Sequence, residues 1–311
     1  MASFALSDFG GRFLTTRPTE VDGKIWPGIS AYVEWFVPVE SRPVSVLFVH
    51  GGGGQGSEFL RTPDGRPGWA HNFLRAGFPV YILDRPGHGR CAWNEQVLGP
   101  ALPLPDYGFV YPRFVEPERH DLWPEAAKHD RWPDDPKAGD RFMASQGPMA
   151  TTLAASQRHV EAIADELFEL IGPTIIVSHS AGGPCGWALA AKGGDNVAAI
   201  LAVEPLGYPG MVHALGKFEN GLSAVPYAGT ADPFARPVVI VTGEATWMRE
   251  ANAHAAAFVR DRGNAFEHIR LEAHGITGNG HMLMSEINSG EIADLLIVWL
   301  DRNLGRWADA R

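Results

Sequence analysis

A serine at position 180, a carboxylate at 204 or 244 and a histidine at 281, in that chain order, are the residue types that acyl transfer requires. A hydroxyl that attacks a carbonyl needs a base to take its proton, an acid to orient that base and N–H donors for the oxyanion. Ser180 lies in Ile175-Ile176-Val177-Ser178-His179-Ser180-Ala181-Gly182-Gly183, where an apolar β-branched run meets a small-residue helix start. That pattern predicts a nucleophile on a tight strand-to-helix bend. The bend demands small residues two places before and after the serine, because its backbone is strained. Ser178 and Gly182 hold those places, so the pattern reads S-x-S-x-G rather than the commoner G-x-S-x-G. An ordinary Gly-rich turn reads much the same, and the rest of the chain has to decide.

His281 stands in Gly275-Ile276-Thr277-Gly278-Asn279-Gly280-His281-Met282, a Gly-rich loop placed to swing an imidazole over the bend. His274 is the nearby rival, while His50, His88 and His179 occupy motif positions suited to backbone or shape roles. His50-Gly51-Gly52-Gly53-Gly54 follows an apolar run, so bare backbone N–H groups can approach a substrate oxygen. Gly52 is the expected first oxyanion donor and Ala181, at the helix start, the second. A phosphate loop would carry Gly-Lys-Ser/Thr after the glycines, and this one does not. The acid is open between Glu204, after Ala198–Val203, and Glu244, after the next strand in Val241-Thr242-Gly243-Glu244, with Asp232 a weaker third. Chain topology alone favours Glu244, whose alternative reading is a capping or surface carboxylate.

The elements that must position these groups are strands with both faces apolar. Val44–Val49, Pro79–Leu83, Thr174–Val177, Ala198–Val203 and Pro237–Val241, with a weaker run at Glu267–Leu271, predict buried parallel strands. Phe4–Leu6, Arg12–Thr16 and Ile29–Phe36 suggest an antiparallel start. Between the central runs lie helical patterns, clearest from Thr151 to Ile171, where Leu153, Val160, Ile163, Leu167 and Leu170 recur at helical spacing before Gly172-Pro173. The fold class is therefore α/β, a mostly parallel sheet with helices on both faces, and such sheets bind ligands at the carboxyl ends of their strands.

Residues 93–148 interrupt the alternation. This stretch is rich in Pro, Trp, Tyr and Phe, with Leu102-Pro103-Leu104-Pro105, Tyr111-Pro112, Trp123-Pro124 and Trp132-Pro133 breaking any long element. Its aromatics favour a lid over a disordered insert. His120, Asp121, Glu125, His129 and Asp130 match no common metal spacing, so the expected reading is a solvated lid surface and no metal.

The chain has 311 residues, 45% hydrophobic and 20% charged, with a net charge of -10. This fits one domain spanning 1–311 with the insertion inside it, and a small substrate rather than nucleic acid or an anionic membrane. No apolar stretch is long enough to span a bilayer, and Met1 leads into mixed sequence, so the expectation is a cytosolic protein. Cys91 and Cys185 have no metal-type spacing and are expected as buried free thiols. An oligomer is compatible with all of this.

Taken together, the chain resembles the α/β-hydrolase superfamily, and within it a group of bacterial carboxylesterases that includes the esterases de-esterifying sulfonylurea herbicides. The resemblance rests on His50-Gly51, Thr62-Pro63-Asp64-Gly65-Arg66 with Gly68-Trp69, and Asp84 with Gly87, Gly89 and Arg90. It continues through Ser178-His179-Ser180 with Gly182, Val203-Glu204-Pro205, and Gly278-Asn279 with His281-Met282. It implies an acid after the sixth strand, at Glu204, and a histidine at His281. The insertion and the consecutive Gly52 and Gly53 depart from that group, so substrate identity does not carry over. The expected protein is a cofactor-independent serine esterase acting on a small or medium carboxylic ester. A lactonase, amidase or carbamate hydrolase with the same triad, or a non-catalytic ligand receptor of the same fold, are the alternatives.

Overall fold

The computed structural model describes residues 4–211, 229, 231–262 and 265–305. Its centre is an eight-stranded sheet. The chain enters through β1 (Leu6–Thr15), a two-stranded hairpin of β2 (Thr19–Val21) and β3 (Lys24–Trp26), and β4 (Ser30–Pro38). It continues with β5 (Ser45–Val49), α1 (Trp69–Arg75) and β6 (Val80–Asp84), and then the insertion. After the insertion come α5 (Leu153–Ile171), β7 (Thr174–His179), α6 (Gly182–Gly193), β8 (Val197–Val203), β9 (Val238–Thr242), α7 (Arg249–Arg260), β10 (Phe266–Arg270) and α8 (Ser289–Asn303). The sheet order is β1-β4-β6-β5-β7-β8-β9-β10. β4 alone runs against the other strands, paired antiparallel with β1 and β6, and every pairing from β6 to β10 is parallel.

This is the α/β sheet that the apolar runs predict. β5, β7, β8 and β9 are buried along their whole length because helices cover both faces, whereas β10 at the edge alternates. One core cluster joins Phe48, Phe59, Phe73, Val177 and Val241 to Leu296 and Leu300 of α8. The other, on the opposite face, joins Leu47, Val49, Ile176 and Ile240 to Val160, Ile163 and Leu167 of α5. Burial on this scale is the main source of stability, about 25 cal/mol per Å² of apolar surface. α5 begins where Thr152 accepts a hydrogen bond from Ala155 N at 3.1 Å and ends at Gly172, whose φ is 61°.

The two amino-terminal runs read as separate strands are one, β1. The β2–β3 hairpin turns at Asp22-Gly23, both at positive φ. The insertion folds into short pieces, α2 (Glu95–Leu98), α3 (Tyr107–Val110), a π-turn at Tyr111–Val115, isolated 3-10 turns and α4 (Ala138–Ala144). Its polar stretch is not wholly solvated, because His129 is buried between Glu118 and Glu286. Both cysteines are buried free thiols.

Candidate active site

Ser180 sits at φ 51°, a strained conformation for a non-glycine residue, directly after β7. Three backbone bonds lock it: Ser180 N to Val203 O at 3.1 Å, and Ser180 O accepting from Gly183 N at 2.8 Å and Leu206 N at 2.9 Å. The demand for small neighbours is visible in the packing. A Cβ on Gly182 would stand 2.4 Å from His50 O, so that position admits only glycine. Ser178 is tolerated two places earlier because Gly186 faces it from α6, and a Cβ there would meet Ser178 Oγ at 2.7 Å.

His281 Nε2 lies 2.8 Å from Ser180 Oγ, and its Nδ1 lies 3.4 Å from Glu204 Oε2. Glu204 follows β8, the sixth strand of the main sheet in chain order, and is itself held at φ 48°. Its carboxylate is fully buried and accepts from Gly243 N at 2.6 Å, Thr246 Oγ1 at 2.8 Å and Asn252 Nδ2 at 3.1 Å. Burial pushes Glu204 up to about 8, against the pull of these three donors, and pushes His281 down to about 3. The two groups therefore share a last proton, and once it has left, the imidazole is a free base beside an ionised Glu204 and can accept a proton from Ser180.

The other sequence candidates lie elsewhere. Glu244 is bound by Lys128 Nζ at 2.8 Å and by Gly278 N at 3.1 Å, and it joins the insertion to the histidine loop. Asp232 accepts from Phe234 N at 2.9 Å, and His274 is exposed at the end of a 3-10 turn. The loop carrying His281 is pinned rather than swinging. Glu286, fully buried, accepts from Asn279 Nδ2 at 2.6 Å and Gly280 N at 2.7 Å, while His179 Nε2 donates to His281 O at 3.0 Å.

Gly52 and Ala181 both line the cavity above Ser180. The carbonyls of the glycine loop are held on its opposite side. Buried Arg85 donates through Nη2 to Gly51 O and, at 2.9 Å, to Gly52 O, and His50 Nδ1 donates to Gly51 O at 2.9 Å. In a trans peptide the next residue's N–H points opposite the carbonyl, so this grip turns the Gly52 N–H toward the cavity. The backbone roles expected of His50 and His179 are thus present, with Arg85 as the central tie. Sequence reading missed Arg85, Thr246, Asn252 and Glu286. Arg85 had one local signal, its place directly after the Asp84 that ends β6.

The cavity has a volume of about 390 Å³. It is lined by the glycine loop, Ser180 and His281, and by Leu102, Pro105, Phe109, Phe114 and Phe142 of the insertion with Met149 and Leu153. Phe114 and Trp247 pack against the His281 ring, with centroids 5.5 and 5.3 Å away. No group of three or more metal-binding side chains is clustered among the described residues.

A serine, an imidazole and a buried carboxylate stand in hydrogen-bonded series, on a strained bend at the carboxyl ends of parallel strands, a geometry in which the imidazole can take the serine proton. Residues 46–275 match the alpha/beta hydrolase family, and the chain belongs to it. The chain is 29% identical to a probable secreted lipase, phiG, from a fungal species (strain ATCC 74256), over 91% of this chain and 88% of that one. A bacterial esterase solved at atomic resolution superposes with a TM-score of 0.68 at 25% identity, covering 98% of each chain. A fungal esterase from Rhizomucor miehei reaches a TM-score of 0.50 at 14% identity over 98% of this chain and 85% of its own, a likeness of fold alone. The fungal lipase is named as secreted, so the expectation of a cytosolic protein gains no support from it.

Proposed function

We propose that the protein is a serine esterase that hydrolyses a carboxylic ester of a small or medium, largely apolar organic molecule through an acyl-enzyme. The observation that carries this reading is the series Ser180 Oγ, His281 Nε2 at 2.8 Å, and His281 Nδ1 to Glu204 Oε2 at 3.4 Å, opening on an apolar cavity. Ser180 attacks the ester carbonyl as His281 takes its proton, and the Gly52 and Ala181 amides receive the oxyanion. His281 then returns the proton to the departing alcohol, and water, activated by the same imidazole, releases the acid. Glu204 orients His281 and offsets its transient positive charge. The insertion acts as a lid whose aromatic wall selects among substrates. The esterase and lipase names of the relatives fit this reading.

Labelling with a fluorophosphonate, followed by a panel of p-nitrophenyl esters of graded acyl length, tests it. Wild type should label and turn over esters, and Ser180→Ala should do neither while keeping its fold. Its turnover should fall on the order of ten-thousand-fold or more, as for other triad serines. Labelling that persists in Ser180→Ala would remove the nucleophile assignment, and a lactone, amide or carbamate cleaved in preference to every ester would move the substrate class.

A further inference from the structure

Within the otherwise apolar cavity one carboxyl group has no part in the triad. Glu58 lies on the 3-10 turn Gly56–Phe59 below the glycine loop; it lines the cavity, and its side chain is 9% exposed. Its Oε1 has no hydrogen-bond partner, and neither has Nδ1 of His179, 3.9 Å away. Unpartnered buried polar atoms are costly, and two facing each other call for a proton between them.

The chemistry of the pair is settled by the far side of the histidine. His179 Nε2 contacts the His281 carbonyl, which can only accept, so Nε2 carries the hydrogen and Nδ1 is a bare acceptor. Burial holds His179 well below its ordinary value, which keeps that tautomer neutral. Only a donor can satisfy Nδ1, and a carboxyl donates only when protonated. Burial pushes Glu58 up to about 8, against a hydrogen bond from the Gly51 backbone and the charge of Arg85. The neighbouring charges have other duties: Arg85 grips the Gly51 and Gly52 carbonyls, and Asp84 is taken by Gly56 N at 2.7 Å and Arg90 Nε at 2.7 Å. A small side-chain rotation of Glu58 closes the gap to Nδ1. The second carboxyl oxygen, beside the Gly51 backbone, keeps acceptor capacity where Glu58 lines the cavity that also holds Ser180.

We propose that Glu58, as a neutral acid braced on His179, is a specificity-determining group that accepts a hydrogen bond from a hydroxyl carried by the ester substrate. This deepens the esterase reading and rests on it. The shape of the hydrogen bonding makes a sharp claim, because glutamine reproduces a protonated carboxyl: its NH₂ can donate to His179 Nδ1 while its oxygen faces the cavity. Methionine keeps the length and supplies neither.

The experiment compares kcat/KM for ethyl butyrate with that for ethyl 3-hydroxybutyrate and 2-hydroxyethyl butyrate, which place the hydroxyl on the acyl or the alcohol arm. Wild type, Glu58→Gln and Glu58→Met are assayed, with the fluorophosphonate labelling rate of Ser180 reporting on an intact site. One neutral hydrogen bond predicts a preference of about threefold to tenfold for one hydroxylated ester. That preference should survive in Glu58→Gln and vanish in Glu58→Met. Three results overturn the proposal: the same ratio in wild type and Glu58→Met, equal loss in Glu58→Gln and Glu58→Met, or a uniform fall for all esters together with slowed labelling. The second would mean that a negative charge is required, and the third that Glu58 merely props the glycine loop. If wild type cleaves none of the three esters and does not label, the esterase reading itself has failed, which is a separate outcome.

Discussion

Replacing Glu204 by glutamine removes one charge and almost no volume. The side-chain amide must put its NH₂ at one of the two oxygen positions, and every neighbour there is a donor. At Oε1 it would face Gly243 N–H, at Oε2 the Thr246 hydroxyl, the Asn252 amide and the His281 Nδ1–H. The Oε1 placement breaks fewer bonds, so the His281 contact should persist with an uncharged acceptor. One buried donor is then unpaired, a cost to stability of about 1–3 kcal/mol. The larger effect is on the reaction. An imidazolium forming 3.4 Å from a carboxylate gains, at an effective dielectric of about 20, roughly 5 kcal/mol that the amide does not supply. At 1.36 kcal/mol per tenfold, that is a fall in kcat on the order of a thousandfold. Glu244→Gln disturbs a partly exposed contact to Lys128 and should change kcat by less than about threefold. Turnover of one ester by both variants, with circular dichroism to confirm folding, tests the assignment. A severe loss in Glu244→Gln beside a mild one in Glu204→Gln would refute it and return the acid to the choice that topology alone favours.

Because burial pushes His281 down to about 3 and Glu204 up to about 8, the pair holds its last proton longer than an isolated histidine of about 6.5. Wild-type kcat/KM should rise from below neutral toward about pH 8 and level off, while in Glu204→Gln the limb should drop below 6.5. A wild-type rate flat from about pH 5 to 9 would contradict this. His129 ties the insertion to the catalytic loop, with Nδ1 3.0 Å from Glu118 and Nε2 3.4 Å from Glu286. Burial lowers its proton affinity, but the hydrogen bonds and charges of Glu286 and Glu118 outweigh that and raise it overall. A raised histidine stabilises the fold in full below about 6.5, and the contribution fades as pH rises through its folded value. The melting-temperature advantage of wild type over His129→Gln should therefore be larger at about pH 6 than at about pH 9, and an equal advantage at both would exclude the charged pairing. Gly186→Ala puts a Cβ 2.8 Å from Ser178 Cβ, and the resulting overpacking of about 1–3 kcal/mol should exceed the ~1 kcal/mol that alanine adds in a helix. Adding Ser178→Gly should recover the melting temperature, and additive losses would show that the two positions do not compensate.

Much of the fold is local chemistry and could be read as such. The apolar runs that both faces of a sheet require became β5 to β9 within a residue or two at each end, and Thr152 and Gly172 bound α5 as cap and stop. The β2–β3 hairpin was passed over although Asp22-Gly23 is a turn dipeptide, because three-residue, mostly exposed strands carry no hydrophobic period. The drift from glycine to serine at 178 makes sense only with Gly186, a full helix turn beyond the strand-to-helix bend. The carboxylate that meets His281 is the harder case. Glu204 and Glu244 end adjacent parallel strands, and nothing within a few residues of either separates them. What separates them is long-range: Lys128, 116 positions away, takes Glu244, while Thr246 and Asn252, 42 and 48 positions away, close around Glu204.

The glycines around His281 teach the same lesson in the opposite direction. A run of Gly275, Gly278 and Gly280 reads as freedom, the means of swinging an imidazole into place. Yet Gly278, at φ 78°, has no room for a side chain beside Asp130, and a Cβ on Gly280 would meet the His129 ring at 2.9 Å and Glu286 Oε1 at 3.1 Å. Glycine is needed here because the insertion and the buried Glu286 crowd the loop. That crowding fixes His281 where Ser180 Oγ can reach it without a reorganisation step, which is the condition under which a 2.8 Å contact contributes to catalysis rather than to packing alone. On the proposed reading the insertion holds the His281 loop as well as walling the cavity, and loosening its contact at His129 should lower turnover on every ester. Trimming the wall at Phe109 or Leu102 should change which ester is preferred.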